Sequence, residues 1–371
     1  MMGKKTILSS GFGLGFYIPA LLLEHQLNAR QQQAEVVVFE NYIVGEKKEK
    51  IADSRFDYHK NFALARIAQK MPIDIRDSID FEAVNGLLDT WEQEGRSEFI
   101  ALSGHWIYIL DMYSERIGIE SLNVTLLYVD SELSPSWKGV KKYVPDYQKR
   151  YREQYLFDAA EGRALYRLDV TNEPVVPYDS RPYRFTVHGG GWGMGTYLAK
   201  VEELEREYAL DLSIYHESDF DLSNTNHRYW MVDPTWEAWK KDPVTGKHTF
   251  PRIGEIRAGE APVFTTDNQA THHHLYDNMK QAKGIISKPG GSTLIDSLAS
   301  ATPIIFLDPF GPHEQKNADL WIKLGFGISY DTWKQGGFSL ELLQPLHEAL
   351  ASQRTAIPNY VDALFDHKLT R

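Results

Sequence analysis

Ile285–Asp308 reads IISKPGGSTLIDSLASATPIIFLD, and the order of residue types in it decides the fold. A short apolar β-type run enters a turn of Pro289, Gly290 and Gly291, a helical pattern leaves the turn, and a second β-type run, PIIFLD, closes the stretch. Strand, glycine turn, helix and strand make a βαβ unit, in which the two strands lie parallel and the helix covers the sheet. At the start of that predicted helix the backbone N–H groups of Gly291, Ser292 and Thr293 can face an anion, with the helix dipole behind them. Gly290 and Gly291 permit positive φ and close backbone approach, and the Ser292 and Thr293 hydroxyls add donors or cap the helix. A plain strand-to-helix turn has the same letters, so Gly-Gly-Ser-Thr by itself does not separate a phosphate cradle from a structural turn.

The same alternation extends outward in both directions. Near the start come KKTILSS, a helix expected from Ile18 to about Arg30, and EVVVFE; EFIALS (Glu98–Ser103) and NVTLLYV (Asn123–Val129) follow as runs suited to a covered parallel sheet. Asn172–Arg184, NEPVVPYDSRPYR, holds Pro174, Pro177 and Pro182 and predicts an extended linker. Beyond it RFTVH, a glycine-rich turn, a helical Tyr197–Tyr208, LDLSIYH, KGIIS and PIIFLD begin the alternation again. The fold class is therefore α/β, with two Rossmann-like halves in tandem. No repeat of solenoid period occurs, and the short glutamine run Gln31–Gln33 is the nearest thing to low complexity. Thr6–Leu23 is uncharged, but Gly11, Gly13, Gly15 and Pro19 interrupt it, so it reads as strand, turn and helix rather than as a signal peptide or membrane span.

Composition narrows the function classes. The 371 residues are 42% hydrophobic, 25% charged and 12% aromatic, which is the make-up of a folded protein with large cores. Lys plus Arg is 40 against 51 Asp plus Glu, a net charge of −11 that disfavours general binding to nucleic acid. Cysteine is absent, which removes thiolate catalysis, disulfides and Cys-ligated metal, and a cytoplasmic location is expected. His272, His273 and His274 are consecutive, so their side chains diverge and no metal site is expected of them.

From Tyr276 to Gly327 the sequence, with Glu314, Gln315 and Asn317 about two dozen residues after the glycines, resembles the donor-binding region of GT-B nucleotide-sugar glycosyltransferases. The MurG-type and diacylglycerol glycosyltransferases are the nearer likenesses, with the plant and antibiotic UDP-glycosyltransferases more distant. The resemblance implies that Lys288, Gly290, Gly291, Ser292 and Thr293 hold a diphosphate, that Asp296 holds the ribose hydroxyls, and that Glu314 with Gln315 contacts the sugar. Asp296 is one methylene shorter than the usual Glu. His188–Gly195, HGGGWGMG, resembles the first loop of a GT-B donor domain and would bring His188, Gly191, Gly193 and Met194 to the donor phosphates. Its spacing is not G-x-G-x-x-G, so it is no dinucleotide fingerprint. His188 reads as a strand-end structural residue ahead of a donor to phosphate or to a developing leaving-group charge. His274, in the loop that relatives place beside the base, reads as structural before it reads as a donor contact.

In the opening SSGFGLGFYIPALLLEHQL the same resemblance brings Gly13 to the donor and matches the family's Gly-His-x-x-Pro pattern to Gly15-Phe16-Tyr17-Ile18-Pro19. Phe16 stands where many relatives carry the histidine that deprotonates the acceptor, and a phenyl ring takes no proton. His105, in SGHW directly after the EFIALS run, is the expected replacement, because strand ends in open α/β sheets line the ligand crevice. Asp111 is a candidate to orient it, and Asp53 with His59 are weaker candidates that otherwise decorate a surface loop. Lys138, Lys141, Lys142, Lys149, Arg150 and Arg152 crowd a segment with Tyr143, Tyr147 and Tyr151; a solvated basic face with inward tyrosines is expected ahead of a membrane contact.

The expected architecture is GT-B, with residues 1–175 as an acceptor domain, 176–338 as a donor domain, and 339–371 packing back toward the first. The implied activity is metal-independent, inverting transfer of a sugar from a nucleotide diphosphate, UDP foremost, to a hydroxyl or amine of a small-molecule or glycan acceptor. The nucleotide sugar is a co-substrate, and no further cofactor is expected. The alternatives are a non-catalytic nucleotide-sugar-binding subunit and a UDP-sugar 2-epimerase. Sugar, acceptor, pathway and oligomeric state stay open at this level.

Overall fold

A computed structural model of the chain describes residues 3–70, 74–219, 224–257, 260–264, 271–366 and 369. The first sheet joins β1 (Lys5–Ser9), β2 (Ala34–Val38), β3 (Glu98–Ala101), β4 (Asn123–Tyr128) and β5 (Arg152–Tyr155) in the order β2-β1-β3-β4-β5, every pair parallel. A small antiparallel pair, β6 (Phe157–Asp158) with β7 (Arg163–Ala164), follows it. The second sheet contains β8 (Arg184–His188), β9 (Ala209–Ile214), β10 (Arg228–Val232), β11 (Ile253–Ile256), β12 (Val263–Phe264), β13 (Gly284–Ser287), β14 (Ile304–Phe306) and β15 (Gly327–Ser329). Its order is β12-β11-β10-β9-β8-β13-β14-β15, parallel from β10 to β15, with β11 and β12 added antiparallel at one edge.

Both orders are doubly wound. In the first sheet the winding reverses between β1 and β3, in the second between β8 and β13, and ligands of such sheets bind outside the carboxyl ends of the strands at these switch points. β13 and β14 are buried throughout, which explains their unbroken apolar sequences.

The helix Leu14–Ala29 joins the halves. Sequence reading starts it at Ile18, but the structure starts it at Leu14, with Gly13 as N-cap and Pro19 inside. Burial outweighs the proline, since Tyr17 through Leu23 lie in the core beside Leu294 and Leu298 of the helix Gly291–Ser300. One continuous apolar cluster thus runs from Ile7 and Leu21 to Ile304 and Tyr360, across both sheets. Helicity expected over Tyr197–Tyr208 shrinks to the single turns Leu198–Lys200 and Val201–Leu204.

The return to the first sheet comes later than Ser339. The helix Gln344–Ala356 still packs on the second half, where His347 Nδ1 bonds the Ala301 carbonyl at 2.7 Å. The crossing is made at Asn359, whose Nδ2 donates to Asp169 Oδ2 at 2.8 Å and Gln26 Oε1 at 3.2 Å, and at Asp362, paired with Arg30 at 2.6 Å. Of the stretch 339–371, residues 367, 368, 370 and 371 lie outside the described residues. In the basic segment Tyr147 and Tyr151 are buried, while Lys138, Lys141, Lys142, Lys149 and Arg150 are exposed. No helix among the described residues is long and apolar enough to cross a membrane.

Candidate functional site

The two switch points open onto one cleft of about 650 Å³. The segments after β1 and β3 supply Gly13, Phe16 and His105 from one side, and the end of β8 with the segment after β13 supplies His188, Lys288 and residues 290–293 from the other.

On the β1 side, Glu40 at the end of β2 shapes the loop. Its carboxylate accepts Ser10 Oγ at 2.6 Å, Gly11 N at 2.6 Å and Phe12 N at 2.9 Å. Arg55 donates to the carbonyls of Gly11 (2.6 Å) and Phe12 (3.1 Å) and lies 3.5 Å from the Trp192 ring centroid, a cation–π contact between the halves. Gly13 faces open space in the cleft.

His105 sits in the short turn Gly104–Trp106 beyond β3 and lines the cleft, its ring 5.2 Å from that of Phe39. Burial lowers its pKa to about 4, so the ring is neutral near pH 7. Asp111 does not orient it: that carboxylate accepts Arg150 Nη1 at 2.7 Å and Tyr151 Oη at 3.1 Å on another face of the helix Ile107–Ile117. Asp53 is exposed on the helix Gly45–Lys60. His59 of that helix is no surface decoration but a buried tie between halves, with Nδ1 2.8 Å from the Gly193 carbonyl and Nε2 3.0 Å from Asp219. Burial pushes Asp219 up, but the bonds from His59 and the His216 N–H outweigh it and hold the carboxyl at about 2.

After β8, His188 Nδ1 accepts the Gly190 N–H at 3.0 Å, which leaves the ring proton on Nε2. That Nε2 is buried without a partner, and burial, with Lys288 and His273 adding to it, lowers the pKa to about 3. Gly191 and Met194 line the cleft; a Cβ on Gly191 would meet Leu14 Cδ1 at 2.4 Å, so this glycine admits the first helix of the other half. Gly193, at φ +58°, lies behind the lining against His59 and Tyr215.

After β13, Gly290 and Gly291 differ from expectation in one respect: Gly290 caps the helix at φ −74°, and neither has positive φ. Close approach is what demands glycine, since a Cβ on Gly291 would lie 2.6 Å from the Val129 carbonyl oxygen. Gly290 offers this helix no capping side chain, and the Ser292 hydroxyl is buried without a partner. Thr293 and Asp296 line the cleft, and Asp296 is 3.1 Å from His273 Nε2. Of the three consecutive histidines it is therefore His273 that reaches the cleft; His272 pairs with Asp277 at 3.1 Å, and His274 lies against the Trp230 ring at 5.0 Å.

Lys288 pairs with Glu314, which also accepts the Phe310 N–H at 2.7 Å. Gln315 does not join them. One position along the helix Pro312–Leu324 turns it to solvent, where it donates to Asp319 at 2.9 Å, and His313 takes the cleft position, its Nδ1 buried and unpartnered. Sequence reasoning missed His273, His313, Glu40 and Asp130. The strand-end rule that selects His105 selects Glu40 and Asp130 too, for Glu40 ends the run EVVVFE and Asp130 directly follows NVTLLYV.

No family model matches the chain. A processive diacylglycerol beta-glucosyltransferase of Staphylococcus carnosus is 36% identical over 63 residues, a stretch spanning 17% of this chain and 16% of that relative's length. Among solved structures, the glycosyltransferase SnogD of Streptomyces nogalater matches at TM-score 0.52 and 14% identity, covering 99% of each chain. MurG of Acinetobacter baumannii matches at 0.54 and 13%, again covering 99% of each. The spinosyn rhamnosyltransferase SpnG matches at 0.56 and 12%, covering 99% of this chain and 100% of its own, and has been solved with thymidine diphosphate and with spinosyn aglycone. Identities this low speak for architecture, and the architecture agrees throughout: two doubly wound halves, one cleft and a C-terminal return make this chain a protein of the GT-B fold.

Proposed function

We propose that the chain is a glycosyltransferase that moves a sugar from a nucleoside diphosphate, UDP or dTDP, to a hydroxyl or amine acceptor by a single inverting displacement. The observation that carries the reading is that His188 Nε2, Ser292 Oγ and His313 Nδ1, on cleft residues, are buried and unpartnered, beside Lys288 and a helix whose N-cap residue, Gly290, has no side chain; Ser134 Oγ and Trp192 Nε1 are further such atoms in the lining. Buried polar atoms are seldom left unpaired, and these line the cleft onto which the helix start, favourable to an anion, opens. A diphosphate there gains the Ser292 and Thr293 N–H groups, the Ser292 hydroxyl and His188 Nε2–H, and the same donors stabilise the charge that develops as it leaves.

Asp296, held by His273, is the ribose acceptor in this reading, and the apolar walls Val232, Ile253, Leu275 and Met279 suit a planar base. Glu314, fixed by Lys288 and the Phe310 N–H, keeps lone pairs for sugar hydroxyls. Across the cleft, His105 accepts the acceptor's proton as a neutral imidazole, and Phe12, Phe16, Ile75, Tyr108 and Val140 favour an acceptor with an apolar or planar body. SpnG, which its structures show with thymidine diphosphate and with an aglycone, supports a donor and an acceptor meeting in such a cleft.

Phe16 motivates the second reading, a chain that binds nucleotide sugar without transferring it. Incubation of the isolated chain with UDP- and dTDP-sugars and a panel of apolar alcohols and phenols decides between them. Glycoside product supports transfer, whereas donor binding with no product from any acceptor supports the second reading.

A further inference from the structure

Asp130, just past β4 in the first half, reaches across the cleft to the helix that begins at Gly291. Its Oδ1 accepts the Gly291 N–H at 3.1 Å and Asn317 Nδ2 at 2.8 Å. Asn317 fastens this junction further: its Oδ1 accepts the N–H and hydroxyl of Ser131, each at 2.8 Å, and its Nδ2 also donates to the Pro289 carbonyl at 2.9 Å. The backbones are in contact as well, for a Cβ on Gly291 would lie 2.6 Å from the Val129 carbonyl oxygen. A carboxylate of the chain itself therefore satisfies the first N–H of the helix whose start the donor reading gives to phosphate, and Asp130 lines the same cleft as the unpartnered His188, Ser292 and His313 atoms.

We propose that Asp130 is an internal anion that competes with the donor's diphosphate for this helix end, so that it sets donor affinity and the Asp130–Gly291 bond opens when donor binds. The inference rests on the donor reading above. Its physical basis is charge: the helix start offers only about half a positive charge, and a second anion a few ångströms from a buried carboxylate is repelled by a factor of roughly ten or more in affinity. The groups facing Asp130 are His313, Asn317 and Lys288, which favour its ionised form, and Glu314, which opposes it; burial is the largest influence and raises the pKa. Protonation removes the competing charge, so competition weakens toward acid pH.

The test titrates UDP, inorganic pyrophosphate and uridine into the wild-type chain, Asp130→Asn and Asp130→Ala by calorimetry. Asn keeps an acceptor for the Gly291 N–H without the charge. The expected result is at least about tenfold tighter binding of UDP and pyrophosphate by both variants, with uridine unchanged. The wild-type to Asp130→Asn affinity ratio should move toward one as pH falls, the ligand's own titration cancelling in the ratio. Equal or weaker binding of both anions by the variants, or a gain that uridine shares, overturns the proposal. Tighter pyrophosphate binding without any UDP binding leaves the Asp130 proposal standing and removes the nucleotide reading. No binding of either anion to any of the three proteins overturns both.

Discussion

His105 and His188 are both held neutral by burial, at about 4 and about 3, yet face opposite tasks. At His105 neutrality leaves a lone pair for a proton, so His105→Ala is expected to lower kcat by roughly 10²–10⁴ while the UDP dissociation constant stays within twofold. Steady-state kinetics beside calorimetry on one variant reads both, and retained turnover would take His105 out of the proton transfer. At His188 the Nδ1 bond to the Gly190 N–H leaves an Nε2–H donor, so His188→Ala is expected to weaken UDP binding by about 1–2 kcal/mol and to leave uridine binding unaffected. Single residues were unevenly legible in the sequence. Lys288, Gly291, Ser292, Asp296 and Glu314 could be placed because they stand in one contiguous stretch whose spacing the chain preserves. Gln315 could not, because one step along a helix turns a side chain by 100° and only packing decides which of His313, Glu314 and Gln315 faces inward. Asp130 was invisible as a partner of Gly291 because the two are far apart in sequence and meet only when the halves dock.

The elements that position these residues are glycine loops, and the glycines are there for close approach as much as for backbone freedom. Gly291 abuts the Val129 carbonyl and Gly191 abuts Leu14, so each of Gly291→Ala and Gly191→Ala forces the two halves apart. A loss of about 1–3 kcal/mol in unfolding free energy is expected for either, read from urea denaturation, with UDP affinity reduced as well. Wild-type stability in both would mean that the halves do not dock as described. Alternation of β-type and helical runs predicted the parallel strands at the heart of both sheets because buried strands leave a local apolar signature. Helix limits were less legible. Leu14–Ala29 keeps Pro19 inside because residues 17–23 around it are buried, a tertiary effect absent from local propensity. The C-terminal crossing at Asn359 likewise depends on Gln26 and Asp169, distant partners with no local signal.

At the scale of the whole molecule, buried neutral histidines tie stability to pH. His188 and His248, lowered to about 3 and about 4 mainly by burial, bind protons in the unfolded chain below pH 6.5 but not in the folded one. Stability is therefore full above about pH 6.5 and falls as pH drops toward 4, by about 1–2 kcal/mol for each such ring at pH 5. Glu24, raised to about 6 by burial, acts in the opposite sense over the same range. Melting temperature is expected to fall from pH 7 to pH 5, and a flat profile would contradict the burial of these rings. The shared core and the ties at His59, Arg55 and Asp130 make the cleft a property of both halves together. The central claim is that this cleft binds a nucleoside diphosphate at the Gly291 helix. Calorimetric titration of UDP, dTDP, GDP and NAD into the wild-type chain and into a Lys288→Ala, Ser292→Ala double variant tests it most directly. The account predicts saturable binding of UDP or dTDP at one site, with GDP and NAD weaker and the double variant weakened at least about tenfold. Absence of binding by every nucleoside diphosphate, or binding that the double variant leaves unchanged, would contradict it.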